Sequence, residues 1–588
     1  MASPWIALTQ QPQFNVSTML LLLDGTVLAQ DSGTVNWWQL TPDAKGSYVN
    51  GTWTTRAPMH HSRLYYASAV LKDGRVFVAG GEYSDAGADT TTAEIFDPLT
   101  DSWTEIAAPA GWTAIGDAPC TVLPDGRVLL GQINGQATGI FDPSTGTWAV
   151  GALKGDPSSE ESWVLLPDDC VLTPQCTAHP AAEKYLIAAN QWVSAGQTPV
   201  DLVEAASIEI GAGILLGDGR AFFIGATPHT ALYTSPANPI DPGTWTSGPD
   251  IPADTNGKTC GAKDAPACLM VNGNVLMTVG PVDGVSGDYL GPTYFFEFDG
   301  KNLIRVPDAP NAGAVPYVGR MLLLPTGEIL YASGTRALYA YARPDKTIAA
   351  WRPIISSVPT ALEKSLSFTL SGRQLNGLSQ AVGYGDDASA ATNYPLVRLR
   401  NAKGHVYYCR TFGHSTMAVA TGAAVVATNF QVPGNVPPGE YELSVVANGV
   451  ASQSVLVIVA WLRFPYEWPL LWQWLIGSLA DGPLWAIGPN GPIPVDPWGP
   501  ETRAAVREAR RNVVSGIRAL MKAGRQLEAS RLRHARQRPA EVDPALPEWA
   551  RPGASAKKSR PKGAAGSRST GRKKRPAKSR RTGSRAHK

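Results

Sequence analysis

A chain of 588 residues is longer than one hydrophobic core usually serves, and with 59 glycines, 48 prolines and only 17% charged residues it favours many short strands over long solvated helices. The formal net charge of +2 hides an asymmetry: residues 557–588 hold 14 Lys/Arg and no acid, leaving 37 basic against 49 acidic groups elsewhere, a balance of −12. Six cysteines in such a length do not suggest a disulfide scaffold.

The N-terminal stretch MASPWIALTQQPQFNVSTMLLLLDG has neither the basic start nor the continuous apolar run of a secretory signal, so the expected location is cytoplasmic, with an extracellular one only if residues precede it. The tryptophan strand around Trp5 stands ahead of the first repeat and is expected to help fasten the first repeat to the last.

From there a unit recurs. Apolar strand, turn and second strand appear with turns at Asp24, Asp73, Asp125, Asp168, Asp218, Asn272 and Thr326, spaced 43 to 54 residues apart. Asp-Gly and Asn-Gly at these places predict type I′ hairpins. A tryptophan follows six of the seven turns by 23 to 30 residues, at Trp53, Trp103, Trp148, Trp192, Trp245 and Trp351, and Leu303 stands near that place in the sixth unit. Seven such units, each too small to bury both faces alone, predict a seven-bladed propeller. Trp351 and Trp5 both claim the outer place of the last blade, which leaves the closure open.

Within this region Cys170 and Cys176, or Cys260 and Cys268, are near enough to close small loops, but buried or free thiols are the preferred reading, and no zinc spacing accompanies them. No nucleotide-binding glycine loop, serine nucleophile elbow or zincin helix occurs.

At Ile354 the period changes. Strands such as SLSFTLSG, YPLVRLRN, HVYYCRTF and YELSVVAN, separated by Gly and Pro turns, predict an antiparallel immunoglobulin-like β-sandwich over 354–460. The connector 461–498 is rich in Trp and Pro, but Arg463, Pro465, Glu467 and Pro469 break it up, so it is not expected to cross a bilayer. Residues 499–535 read as an amphipathic helix: Val506, Val513, Leu520 and Leu527 recur every seven residues, which suits docking on the chain's own surface, self-association or a protein partner. The remainder, 536–588, is a disordered basic tail; over 557–588 it has no aromatic residue, so nucleic acid or an anionic surface would be held through charge alone.

The phrase AVLKDGRVFVAGG…AEIFDPLTDSW resembles kelch repeats, and the order of propeller (1–353) then sandwich, with GYGDDASAATNYPLVRLRNAKGHVYYCRTFGHSTMAVATG, resembles galactose oxidase-like proteins with a C-terminal early-set domain. That resemblance implies an all-β fold and a copper-radical site of two histidines, two tyrosines and a cysteine cross-linked to one tyrosine. Residue by residue, Tyr65 falls in the register of the cross-linked tyrosine, Tyr317 in that of the axial tyrosine, and His414 in that of the sandwich-domain histidine. Val318 stands where the adjacent histidine would be, Val16 where the cysteine would be, and no cysteine precedes Cys120.

With a histidine and the cysteine missing, the expectation is a binding or scaffold protein without a bound cofactor. Tyr65, Tyr317 and His414 would then line a carbohydrate or polyol pocket at the propeller–sandwich junction. The rivals are a copper-dependent oxidoreductase of the galactose or glyoxal oxidase type, and a scaffold tethered by its basic tail. His60 and His61 are read as loop residues rather than replacement ligands, and Asp386 and Asp387 as a solvated acidic turn rather than a cation site.

Overall fold

The computed structural model describes residues 3–460 apart from 86–88, 205, 283–287, 344–346 and 385–389, together with the backbone of a hairpin at Trp485–Gly488 and Gly491–Pro494. The helix expected over 499–535, the basic tail and Asp386–Asp387 lie outside the described residues. Among the described residues no helix is long and apolar enough to cross a membrane.

The molecule is all-β, with seven antiparallel blades arranged in chain order. The first is Val16–Leu21, Val27–Asp31, Trp37–Thr41 and Thr52–Arg56, and the second is Ala67–Val70, Val76–Ala79, Ala93–Asp97 and Ser102–Ile106. Blades three to six begin at Cys120, Val164, Gly213 and Ala267. The seventh has three strands, Arg320–Leu323, Ile329–Ala332 and Leu338–Tyr341, and takes its fourth from the N-terminus, where Trp5–Ala7 pairs antiparallel with 339–341. This settles the closure: Trp5 holds the outer place, while Trp351 lies in a short 3-10 turn against Gly217.

The tryptophans stand on the outermost strands, as their spacing implies. Trp103 donates its indole N–H to Ala57 O at 2.9 Å, Trp245 to Ala195 O at 2.9 Å, and Trp5 to Pro307 O at 2.7 Å. Each bond reaches back to the end of the preceding blade, so the repeated residue ties neighbours together while its ring fills the gap between their sheets.

The hairpin turns differ from the expected type I′. That type needs two consecutive residues with positive φ, but here only the third loop residue has it: Gly25, Gly74, Gly126, Gly219, Gly273 and Gly327, with Asp169 in the fourth blade. Gly74 N–H bonds Leu71 O at 2.9 Å and Leu71 N–H bonds Arg75 O at 2.8 Å, which makes a type I turn followed by a bulge. The aspartate stabilises this form by accepting the N–H two residues on, as Asp73 Oδ1 does from Arg75 at 3.0 Å.

Each innermost strand therefore starts at one rim of the ring, here called upper, and ends in its turn at the lower rim. A nine-stranded sheet follows, in the order 354–357, 367–373, 425–431, 406–412, 396–400, 439–447, 455–460, 361–363, with Val450–Ala451 at the side. It curls around a core of its own that includes Leu370, Val397, Leu399, Cys409, Phe430, Leu443 and Val457.

This sheet seats on the lower rim through backbone bonds to the turns of three successive blades: Thr411 N to Leu23 O (2.9 Å), Gly413 N to Lys72 O (3.0 Å) and Met417 N to Pro124 O (2.8 Å). It also sends a finger up the central channel. Val382–Gly383 pairs with Ala267–Cys268 on the innermost strand of the sixth blade, and Gln380 Nε2 donates to Thr121 Oγ1 at 2.9 Å on the third. The finger thus contacts the innermost strands of both the third and the sixth blades.

All six cysteines are buried free thiols, so neither small loop is closed by a disulfide. Burial pushes the Cys120 thiol up to about 12, and its Sγ donates to Ser68 O at 3.6 Å.

Candidate functional site

Tyr65 lies just ahead of the second blade's innermost strand and Tyr317 just ahead of the seventh's, so both stand at the upper rim. Two residues before Tyr65, Arg63 is fully buried; it pairs with the equally buried Glu94 at 2.9 Å and donates to Gly80 O and Thr92 O. That network fixes the segment which turns through Tyr65, whose φ of 51° is a left-handed conformation uncommon for a side chain of this size.

Arg320 joins the two tyrosines. Its Nη1 donates to Tyr317 O at 2.9 Å, and its guanidinium carbon lies 5.4 Å from the Tyr65 ring centre and 3.5 Å from that of Tyr384, on the finger. Stacking between guanidinium and aromatic faces is favourable, the more so because Arg320 is almost fully buried. Tyr83 packs edge-on to Tyr65 with ring centres 6.2 Å apart. Its hydroxyl is raised above the usual phenol range, first by the charge of Glu82, then by burial and by weaker contributions from Glu160 and Tyr317.

The other side of the mouth is acidic. Glu160, Glu209 and Asp264 lie just ahead of the fourth, fifth and sixth blades, and one carboxylate oxygen of each falls within 4.8 Å of the others. Lys263 neutralises part of this charge by pairing with Glu209 at 2.7 Å. Burial pushes Glu160 up to about 7, with Lys263 opposing and Asp89 adding to the shift. The mouth thus offers aromatic faces, phenols and carboxylates, of which Glu160 can both donate and accept hydrogen bonds near neutrality.

His414 is elsewhere. The N–H of Gly413, its neighbour, bonds Lys72 O at the lower end of the strand that Tyr65 begins, and the His414 ring stacks on Tyr394, whose hydroxyl bonds Leu21 O. Crossing a blade takes several residues at about 3.3 Å each, so His414 and Tyr65 stand at opposite rims. His414 is 1% exposed, its Nδ1 lies 2.9 Å from Thr428 Oγ1, and its Nε2 has no hydrogen-bond partner. Burial, aided by the Lys72 charge, pushes its pKa down to about 3, so the ring is neutral. The three candidate residues do not form one pocket: Tyr65 and Tyr317 share the upper mouth, and His414 belongs to the junction below.

The residues at the mouth do not fit a copper-radical centre. Val318 occupies the 3-10 turn beside Tyr317, and Val16 is buried in the first blade. The charge between Tyr65 and Tyr384 is the Arg320 guanidinium, a fixed cation that opposes a second cation there. His60 and His61 are engaged by carboxylates, His60 by Glu94 at 2.7 Å and His61 by Asp85 and Glu105 at 3.3 and 3.6 Å.

Sequence reasoning missed Tyr83, Arg320, Tyr384 and the three carboxylates. The repeat itself carried the signal, because segments before an innermost strand or after a second strand all reach the upper rim.

Fold and mouth together define a seven-bladed propeller carrying a kelch motif. Residues 63–109 match the family model described as Kelch motif. Over 127 residues the chain is 31% identical to Kelch-like protein terF of Aspergillus terreus; the match covers 21% of this chain and 27% of that protein, so the chain spans about a quarter of that relative. Among solved structures it is similar to a fungal alcohol oxidase of the AA5 family in complex with copper, with TM-score 0.46 and 13% identity, covering 78% of this chain and 99% of the other. It is also similar to virginiamycin B lyase from Staphylococcus aureus, with TM-score 0.39 and 12% identity, covering 57% and 97%.

Proposed function

We propose that the chain is a binding protein whose upper mouth takes a carbohydrate or other polyol, without copper-radical chemistry. A kelch propeller supports a binding or scaffold role, because loops from every blade converge on one rim while the sheets beneath stay rigid. In this reading the division into a propeller over 1–353 and a companion domain over 354–460 separates a recognition ring from the element that braces it.

The observation that carries the reading is the meeting of Tyr65 and Tyr384 at Arg320, with Tyr83 packed on Tyr65, Tyr317 alongside and carboxylates across the mouth. Aromatic faces pack on the apolar faces of sugar rings, while phenols and carboxylates satisfy their hydroxyls. The protein contacts expected of 499–535, and the nucleic acid or anionic surface expected of 557–588, concern residues outside those described and add nothing to this reading.

Calorimetry of the full chain against a panel of mono- and oligosaccharides and linear polyols tests it. The expected result is saturable binding of a panel member, weakened at least tenfold in Tyr65→Ala, which is about 1.4 kcal/mol, and unchanged in His414→Gln. Absence of binding across the panel, or binding indifferent to both Tyr65→Ala and Tyr317→Ala, would overturn the reading.

A further inference from the structure

One strand of the nine-stranded sheet has the sequence of a strand covered on both faces. Val455–Ala460, VLVIVA, is apolar at every position, as strands buried on both sides are. The structure covers one side only. Val457 and Val459 lie in the sheet's own core, while Leu456 and Ile458 point outward and are each 51% exposed. Among the exposed large apolar side chains of the described residues, these are the two that share one face of one strand.

Their neighbours on that face complete a pattern of rows. On one side Ala361, itself exposed, stands beside Ile458. On the other, Glu440 stands opposite Ile458 and Glu442 opposite Leu456; both are exposed, and neither is paired with a cation among the described residues. An apolar row therefore runs alongside an acidic row, one strand spacing of roughly 4.8 Å away. The carboxylates disfavour an anionic bilayer as the cover and favour a basic, apolar segment.

The chain carries the matching pattern itself. In the helix expected over 499–535, Arg503, Arg510 and Arg531 occupy one position of the seven-residue period, next to the apolar seam of Val506, Val513, Leu520 and Leu527. On the seam's other side stand Ala509, Gly516 and Ala523, small enough for close approach. An apolar row beside a basic row thus faces an apolar row beside an acidic one. The connector 461–498 starts at the end of the exposed strand, so it holds the helix at high local concentration near this face.

We propose that the helix of 499–535 docks on the outer face of its own chain's second sheet, its seam on Leu456, Ile458 and Ala361 and its arginines toward Glu440 and Glu442. The contact is separate from the upper mouth and stands whether or not that mouth takes a polyol.

Hydrogen exchange of the full chain, read by mass spectrometry, tests it. Amides of 499–535 should exchange at least tenfold more slowly than the same sequence does unstructured. Leu456→Glu with Ile458→Glu, and separately Glu440→Lys with Glu442→Lys, should each lower that protection at least tenfold. Val150→Glu, at an 87% exposed site on the third blade, should leave it unchanged. The fold of each variant is checked by circular dichroism. Because all six cysteines are buried, Ala361→Cys carries an exposed thiol that can be labelled selectively, and a benzophenone maleimide attached there should cross-link to 499–535 within a single chain. Unprotected amides in 499–535, the outcome if a bilayer or another protein is the occupant's true target, would overturn the proposal. So would protection that survives both pairs of face substitutions, or a cross-link that joins two copies.

Discussion

The two rims of the propeller are built from the same repeat but have opposite fates. At the lower rim the repeated turns are covered by a second sheet, which docks through backbone hydrogen bonds and close approach: a Cβ on Gly25 would meet the Tyr408 ring at 2.5 Å. At the upper rim the repeat is broken by individual loops, and buried charges such as Arg63 and Glu94 hold aromatic side chains at the mouth. One rim uses the uniformity of the repeat to bind a partner sheet; the other uses its irregularity to gather the side chains of the proposed site. The difference teaches that in this fold recognition residues are to be sought where the repeats disagree.

Breaking the upper rim should cost most. Arg63→Met leaves Glu94 buried without its guanidinium, and a loss of about 3–5 kcal/mol is expected in chemical denaturation. Because Arg63 also fixes the segment running into Tyr65, mouth ligands should weaken in the same variant even below its unfolding transition.

The lower rim is tested by Gly25→Val, which meets both a positive φ of 77° and the Tyr408 ring; a loss of about 3 kcal/mol is expected. Upper-mouth binding per folded molecule should stay unchanged. A matching loss of binding would mean that the rims are not independent.

A pH-dependent effect lies beside the mouth carboxylate Glu160. Lys154 sits buried between Glu161 and Glu183 at 2.6 Å from each, and burial pushes Glu161 up to about 8 despite the attraction of Lys154. A carboxyl raised in the folded state binds its proton more tightly there than in the unfolded chain. Its stabilising contribution is therefore complete below about pH 4.5 and is lost as pH rises through about 8, with a slope of at most about 1.4 kcal/mol per pH unit. Unfolding measured from pH 5 to 9 should show that decline, and Glu161→Gln should flatten it.

Much of the ring was legible in the sequence because its causes are local. The aspartate and glycine turns and the outer tryptophans recur at near-constant spacing, and each repeats one physical task, turning a strand or sealing an interface. The turn type was misjudged because Asp-Gly suits both a type I′ turn and a type I turn with a bulge; the aspartate's bond to the N–H two residues on selects the second. The finger was not legible, since its one strand among the described residues, Val382–Gly383, is two residues long and forms by pairing with a blade more than a hundred positions earlier. Tyr65 and Tyr317 could be placed because they precede repeat strands. His414 could not, because the position of its loop depends on how one domain seats on another.

The most direct test of the account is copper loading of the full chain followed by mild oxidation, read by absorption and electron paramagnetic resonance. With Arg320 between Tyr65 and Tyr384 and no thiol in register, any bound copper should give an ordinary cupric spectrum, identical in Tyr65→Phe. An intense tyrosyl-radical band that disappears in Tyr65→Phe, accompanied by peroxide release from an alcohol or sugar, would contradict it.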